Sequence, residues 1–455
     1  MFALLALVAS AAPVDYRKDV RPILQERCYA CHGALKQEAK LRLDSGAAMR
    51  KGEVIVPGKP ADSELLNRVS ANEDEGRMPP EGHPLKPEQL AVLKAWVEQG
   101  AKVPADDKPE PDPRDHWSFR PVTRPAVPGT GNPIDAFIAA EWTKRNLKPV
   151  APADRRILLR RVYLDLIGLP PTAAQIDAFL KDPSPTAYEA VVDQLLASPQ
   201  YGERWGRHFL DIWRYSDWWG LGAELRNSQK HIWHWRDWVV ESLNADLGYD
   251  EMVRQMLAAD ELYPTDAKKL RATGYLARPY FLFNRTTWLD EVVEHTSKGI
   301  LGLTTNCAKC HDHKYDPVSQ LDYYRLRAVF EPYQVRTDLV AGELDPEKAG
   351  VPRAFDCNLT AKTPFHVRGD ERNPDPTRDI TAGLPAFLSP GGFKSTAVKL
   401  PPLAYSRAPR SWRRTANRPG RNWRPRRTHR RNCWRRTAAA GNPLLRPRGS
   451  WRVRA

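Results

Sequence analysis

A five-residue pattern occurs twice in this chain, as CYACH at residues 28–32 and as CAKCH at residues 307–311. Two cysteines three residues apart lie on one side of a helical turn, where their thiols can form thioethers with the two vinyl groups of one porphyrin. The histidine that follows can supply the proximal ligand of the iron. The spacing therefore predicts two c-type haem sites. Their attachment and proximal residues are Cys28, Cys31 and His32, and Cys307, Cys310 and His311.

The same cysteine spacing also occurs in zinc sites and in thiol redox pairs. A histidine directly after each pair, in a chain with only six cysteines, favours haem over these alternatives. The alternative reading is a zinc-binding module without a redox role, or two disulfides. A zinc module predicts bound zinc and no haem absorbance.

The first twelve residues, MFALLALVASAA, form an apolar run that ends in small side chains. This pattern resembles the hydrophobic core and cleavage site of a secretory signal peptide, although the usual basic start is missing. The run is too short to span a bilayer, and no other segment predicts a transmembrane helix. We therefore expect an exported, periplasmic or otherwise extracytoplasmic protein, which agrees with haem c attachment outside the cytoplasm. The alternative is a buried N-terminal strand.

Residues 13–103 have the pattern of a small all-α domain. Helical spacing leads into Cys28, and an amphipathic helix over 87–101 closes the domain. Between them, Met78 lies in a proline-bounded loop, GRMPP. A methionine thioether is the usual sixth ligand in cytochromes c. We predict a class I cytochrome c-like domain with Met78 as the distal ligand, the alternative being an ordinary packed methionine.

Residues 104–115 form a charged, proline-rich linker, and residues 116–335 predict a larger helical domain. The aromatic residues between 201 and 219 could line a haem pocket or simply form a core. The sixth ligand of the second haem could be His208 or His295, although a lone histidine is more often a core residue. If neither histidine binds, that position is open.

Several stretches of this chain resemble one protein family. DVRPILQERCYACHG and RMPP resemble the planctomycete-type cytochrome c domain of large secreted bacterial proteins. HWSFRPV, RRILLRRVYLDLIGLPPTAAQIDAFL, SPQYGERWGRHFLDIWRYSD and LGLTTNCAKCHDHKYDPVSQLDYYRL resemble the uncharacterised domain that follows it in that family. The resemblance covers residues 15–335. It implies haem binding and implies no particular reaction. Members of this family usually carry a further C-terminal domain, which a frameshift in the tail would have removed.

The charge of the chain is concentrated at its C-terminal end. The net charge is +15, yet residues 401–455 contain 17 arginines with no lysine and no acidic residue. The remainder is close to neutral, so we expect no nucleic-acid partner for residues 1–400. We predict an irregular region over 336–400 and a tail that is disordered or results from a frameshift near residues 395–405. The alternative for the tail is an RNA- or membrane-binding arm.

The sequence predicts a mainly α protein, with a cytochrome c-like domain, a larger helical domain and an irregular tail. Its expected function is haem binding and electron transfer through two haem c groups, with an unidentified redox partner protein. The alternative from a different class is a dihaem oxidoreductase, of peroxidase type, in which the second haem has an open sixth position. Occupancy of that position distinguishes the carrier from the enzyme.

Overall fold

The computed structural model describes residues 13–404 except 81, 217–229, 282–283, 341, 344, 347, 359, 386, 390, 397 and 402–403. The expected signal segment (1–12) and nearly all of the arginine-rich tail lie outside the described residues. The described chain is mainly helical, which confirms the predicted fold class. No helix of the described part is long and apolar enough to cross a membrane.

The chain forms two compact units. Within the described residues, unit one contains 13–124, 312–319 and 385–391, and unit two contains 125–311, 320–384 and 392–404. Each unit therefore combines segments that are distant in the sequence.

Unit one carries five α-helices in its described residues. They are α1 (Arg21–Arg27), α2 (Tyr29–His32), α3 (Gly46–Lys51), α4 (Glu64–Ser70) and α5 (Pro87–Glu98). A π-helical turn, Tyr16–Val20, precedes α1 and is capped by the Asp15 carboxylate, which accepts from two backbone amides. The domain therefore begins with helical structure that leads directly into the first motif.

The core of unit one gathers around the closing helix α5. Leu93, Trp96 and Val97 are buried together with Leu24 of α1. The indole N–H of Trp96 donates to the Lys102 carbonyl at 3.0 Å, so its one polar group is satisfied. The apolar face predicted for this helix is therefore the face that packs.

The first part of unit two consists of α6 (Pro133–Lys144), α7 (Arg155–Leu166), α8 (Ala173–Lys181), α9 (Ala187–Leu196) and α10 (Pro199–Ile212). Helix α8 starts with the capping box that its sequence predicts. The Thr172 hydroxyl accepts from the Gln175 amide at 3.3 Å, and the Gln175 side chain accepts from the Thr172 amide at 2.8 Å. This exchange fixes where α8 begins.

Two glycines let α10 pack closely on α11 (Trp233–Asn244). A Cβ atom added at Gly202 would lie 2.5 Å from the Val240 carbonyl oxygen, and one at Gly206 would lie 3.2 Å from the Val240 side chain. The Gly202 amide also donates to Asn244 Oδ1 at 2.8 Å. The two helices can therefore approach only because both positions lack a side chain.

The rest of unit two holds α12 (Tyr249–Leu262), α13 (Ala267–Leu270), α14 (Gly274–Ala277), α15 (Arg285–Thr296) and α16 (Gln320–Phe330). A π-helical turn, Ser297–Leu301, extends α15 toward the second motif. Four strands, β1 (Tyr333–Leu339), β2 (Gly350–Asp356), β3 (Thr363–His366) and β4 (Pro374–Ile380), form two antiparallel pairs. These two short ribbons lie largely within residues 336–400, a segment whose sequence predicts loop and short strand.

Two carboxyl groups are buried where α12 meets β2. Asp260 is 1% exposed, and neither of its carboxylate oxygens has a hydrogen-bond partner among the described residues. Burial, and then the charge of Glu261, raises the pKa of Asp260 to about 7, against the opposing charge of Arg353. Burial and the charge of Asp260 also raise the pKa of Asp356. Both groups are therefore far easier to protonate in the folded protein than in the unfolded chain.

Raised carboxyl pKa values make stability depend on pH in a defined direction. Between about pH 4 and about pH 7 the folded state binds more protons than the unfolded state, so the free energy of unfolding falls as the pH rises through this window. One pKa unit corresponds to about 1.4 kcal/mol, so we expect a loss on the order of 3 kcal/mol from Asp260. Urea unfolding at about pH 4.5 and about pH 8 measures this loss.

The variant Asp260→Asn should flatten this pH dependence, because the amide cannot ionise. The matched control is Glu203→Gln, which alters an exposed carboxyl group on α10 and should leave the wild-type profile unchanged. A profile that is equally steep in the wild type and in Asp260→Asn would contradict the assignment.

Candidate functional site

The first Cys-x-x-Cys-His motif consists of Cys28, which caps the end of α1, and the short helix α2. The His32 and Cys31 amides both donate to the Cys28 carbonyl, at 2.9 and 3.2 Å. All three side chains are half-buried. The turn therefore carries two free thiols and an imidazole within five residues, as the attachment of one porphyrin needs.

The imidazole of His32 is held through one ring nitrogen. Its Nδ1 lies 3.3 Å from the Leu41 carbonyl oxygen, which can only accept, so Nδ1 carries the proton. The Leu43 amide donates to the His32 carbonyl at 2.7 Å and fixes the backbone as well. With Nδ1 protonated, Nε2 keeps its lone pair and is the atom able to bind a metal.

The residue after the motif has to be a glycine. A Cβ atom at Gly33 would lie 2.4 Å from the carbonyl oxygen of Tyr29, which belongs to the same turn. Tyr29 itself is buried in the core of unit one, and Cys28 packs against that core. Burial raises the pKa of the Cys28 thiol to about 12. Contacts of Tyr29 and Cys28 with the apolar core of unit one therefore hold this turn in place.

The loop that carries Met78 is connected to this turn by an arginine. Arg27, directly before Cys28, donates through Nη2 to the His83 carbonyl. The Met78 amide donates to the Arg68 carbonyl at 2.9 Å, which fixes the loop on α4. The Met78 side chain is 36% exposed, whereas Met49 in the core is 2% exposed. Met78 is therefore not a packed core methionine.

Two guanidinium nitrogens near the turn and the loop fit an anionic ligand. Arg27 Nε and Arg77 Nη1 are buried, and neither has a hydrogen-bond partner among the described residues. A buried donor without an acceptor is costly, and a carboxylate would satisfy it. Haem carries two propionate carboxylates, so the thiols, the imidazole and these donors together fit haem c.

Replacing Arg27 by glutamine should loosen the loop that carries Met78. The substitution removes a charged hydrogen bond to the His83 carbonyl, with an expected cost of about 1.5 kcal/mol. Local opening should then make the amides around Met78 exchange with deuterium roughly tenfold faster. Arg50→Gln, at an exposed position on α3, is the control. Equal exchange in both variants would mean that Arg27 does not hold the loop.

The second motif lies on a 3-10 turn, Asn306–Lys309, at the start of a non-helical segment. The Cys310 amide donates to the Cys307 carbonyl at 3.3 Å. Both thiols are free, and both are exposed, as is His311. The second turn offers the same donor set as the first, but at the surface of the described chain.

Lys309, the second of the two residues between the cysteines, anchors the second turn. Lys309 Nζ lies 2.6 Å from Asp290 Oδ2 of α15. The Lys309 carbonyl accepts from Gln320 Nε2 at 2.9 Å and from the Tyr324 hydroxyl at 3.1 Å, both on α16. The Lys309 side chain therefore links the turn to α15, and the Lys309 backbone links it to α16.

The β3–β4 ribbon also reaches the second turn. A Cβ atom at Gly369, where φ is +76°, would lie 2.5 Å from Cys310 Sγ. Gln320 and Tyr324, the same two donors, also donate to the His366 carbonyl at 3.3 Å. The His366 side chain is buried, and its Nδ1 has no partner among the described residues. Burial lowers its pKa, which keeps the ring neutral.

The two histidines considered as sixth ligands of the second haem lie in different surroundings. His208 is exposed on α10 with its ring 5.5 Å from that of Trp205. His295 is half-buried on α15, where burial and the charges of Arg278 and Arg214 lower its pKa to about 4. A neutral imidazole is the form that binds iron, so His295 has the suitable protonation state. Ligation by either histidine remains a prediction.

The described residues contain no cluster of three or more His, Cys, Asp or Glu side chains placed to hold a metal ion. The contacts of Asp290, Gln320, Tyr324, Gly369 and His366 around the second turn are not predicted by the sequence. Each contact joins segments that lie apart in the chain, so no local pattern indicates it.

Two protein-family models match the chain. Residues 28–82 match the model described as Planctomycete cytochrome C. Residues 133–335 match the model described as a protein of unknown function (DUF1549). The first match contains the first motif and Met78, and the second contains the second motif. No curated protein and no solved structure matches the chain.

Proposed function

Because the chain belongs to the planctomycete-type cytochrome c proteins, we propose that it is an exported electron carrier with two covalently attached haem c groups. The family makes it a c-type cytochrome that binds haem. The second haem, the export and the electron transfer are the parts that we propose. The observation that carries the proposal is the His32 turn, whose Nδ1 contact with the Leu41 carbonyl leaves Nε2 free for the iron.

We assign the first haem to the turn that precedes the methionine loop. Cys28 and Cys31 would form the thioethers, His32 would be the proximal ligand and Met78 the distal one. The half-exposed thioether of Met78 and the link from Arg27 to the same loop support this assignment. The buried nitrogens of Arg27 and Arg77 would donate to the propionates.

We assign the second haem to Cys307, Cys310 and His311. Two free, exposed thiols on one turn and an imidazole directly after them support this assignment. When bound, haem supplies reversible one-electron chemistry at its iron. The protein would hold each proximal imidazole, bury the propionate donors of the first site and keep the second turn rigid through Lys309.

Counting covalent haem tests the proposal directly. A pyridine haemochrome spectrum with protein quantitation, on material exported through a cytochrome c maturation system, should give two haems per chain. The variants Cys28→Ala/Cys31→Ala and Cys307→Ala/Cys310→Ala should each give one. A wild-type value of one would leave a single-haem carrier, and a value of zero with bound zinc would overturn the electron-transfer function.

A dihaem oxidoreductase, of peroxidase type, is the second candidate function. The exposure of Cys307, Cys310 and His311 favours it, because a haem on an exposed turn is accessible to small molecules. An open sixth position would let the second haem bind a substrate while the first haem delivers electrons. The two functions differ in whether His208, His295 or no residue binds the second iron.

Removal of candidate axial ligands separates the two functions. Met78→Ala should lower the reduction potential of the first haem, because thioether ligation raises it. If His295 or His208 binds the second iron, its alanine variant should gain carbon monoxide binding that the wild type lacks. Carbon monoxide binding by the wild-type second haem would instead support the oxidoreductase. A redox titration and ferrous absorbance spectra with carbon monoxide measure both effects.

A further inference from the structure

The second motif contains a charge that the attachment of haem does not need. Lys309 lies between Cys307 and Cys310, and its ammonium group forms an ion pair with Asp290 at 2.6 Å. Both side chains are largely buried, at 27% and 20% exposure. In water such a pair contributes little, but at this degree of burial its charges are only weakly screened.

The Asp290 carboxylate is the centre of a wider network. The Tyr323 hydroxyl donates to its Oδ1 at 2.6 Å, and Arg327 Nη1 lies 3.6 Å from the same atom. Arg327 is 1% exposed and also pairs with Glu331, which pairs in turn with Arg285. Removing one member leaves its partners with an uncompensated charge close to the second turn.

We propose that the Asp290–Lys309 pair sets the reduction potential of the haem attached to Cys307 and Cys310. This inference rests on the proposed second haem. The ferric iron carries one more positive charge than the ferrous iron, so a nearby cation favours the ferrous state and a nearby anion favours the ferric state. Lys309 belongs to the attachment turn itself and directly precedes Cys310, so its ion pair with Asp290 is part of the surroundings of a haem attached there.

The charges around the second turn determine whether each substitution raises or lowers the reduction potential of the second haem. In the wild type Asp290 balances Lys309, while Arg327, Glu331 and Arg285 form the rest of the network. His366 is uncharged at neutral pH because burial lowers its pKa. Loss of the carboxylate therefore leaves an excess of positive charge, and loss of the ammonium group leaves an excess of negative charge relative to the wild type.

Single substitutions at the two positions should shift the potential of the second haem in opposite directions. Asp290→Asn should raise it, and Lys309→Gln should lower it. The double variant Asp290→Asn/Lys309→Gln should return close to the wild-type value, and Lys309→Arg should keep it. Structural damage alone would expose the haem in both single variants and shift both potentials in the same direction.

The measurement is a spectroscopic redox titration of the holoprotein at about pH 8. The Cys307→Ala/Cys310→Ala variant identifies the component that belongs to the first haem, which serves as an internal reference in every other variant. Glu141→Gln and Lys144→Gln are the matched controls. These two side chains form an exposed ion pair on α6, and both controls should leave the potential unchanged.

The haem count separates the two ways in which this experiment can fail. If the wild type carries only one haem, the proposed second haem is wrong and this inference fails with it. If the second haem is present but the two single substitutions shift its potential in the same direction, or shift neither, the inference about Asp290 and Lys309 is overturned. Opposite shifts with an unchanged first haem support it.

Discussion

A turn that attaches haem has to present two thiols and an imidazole on one side, so a protein can anchor it only through the backbone, the intervening residues and their neighbours. The first turn is anchored by apolar contacts, since Tyr29 is buried and Cys28 packs on the core around Trp96. The second turn is anchored by charge and hydrogen bonds, through Lys309 to Asp290 and to α16. The two motifs share a sequence spacing but depend on different physical interactions.

This difference bears on what the two sites can do. The first site combines half-buried thiols, buried arginine donors and a methionine loop connected to the turn. These features suit a haem that is sheltered from water and whose surroundings rearrange little when the iron changes its oxidation state. The second site is exposed and lies beside a network of fixed charges. Its iron would therefore respond mainly to charge, which is the usual way in which surroundings tune a metal potential.

Local patterns made part of the structure predictable. The mainly α fold, the helix α5 and the capping box at Thr172 follow from residues within a few positions of each other. Contacts between distant segments were not predictable in this way. The sequence gives no periodic signal for Gly369 beside Cys310, or for Gly202 and Gly206 between two helices. The haem ligands remain predictions. The Cys-x-x-Cys-His spacing predicts the two attachment turns, but it carries no information about which residue would bind the iron on the opposite side.

The two anchors also differ in how freely their residues can vary during evolution. Tyr29 is held by its size and apolar character, so other large apolar side chains could replace it without a change elsewhere. Lys309 is held by the carboxylate of Asp290, and a neutral residue at either position would leave the other charge unbalanced. Positions 290 and 309 should therefore change together among related chains, while position 29 varies independently.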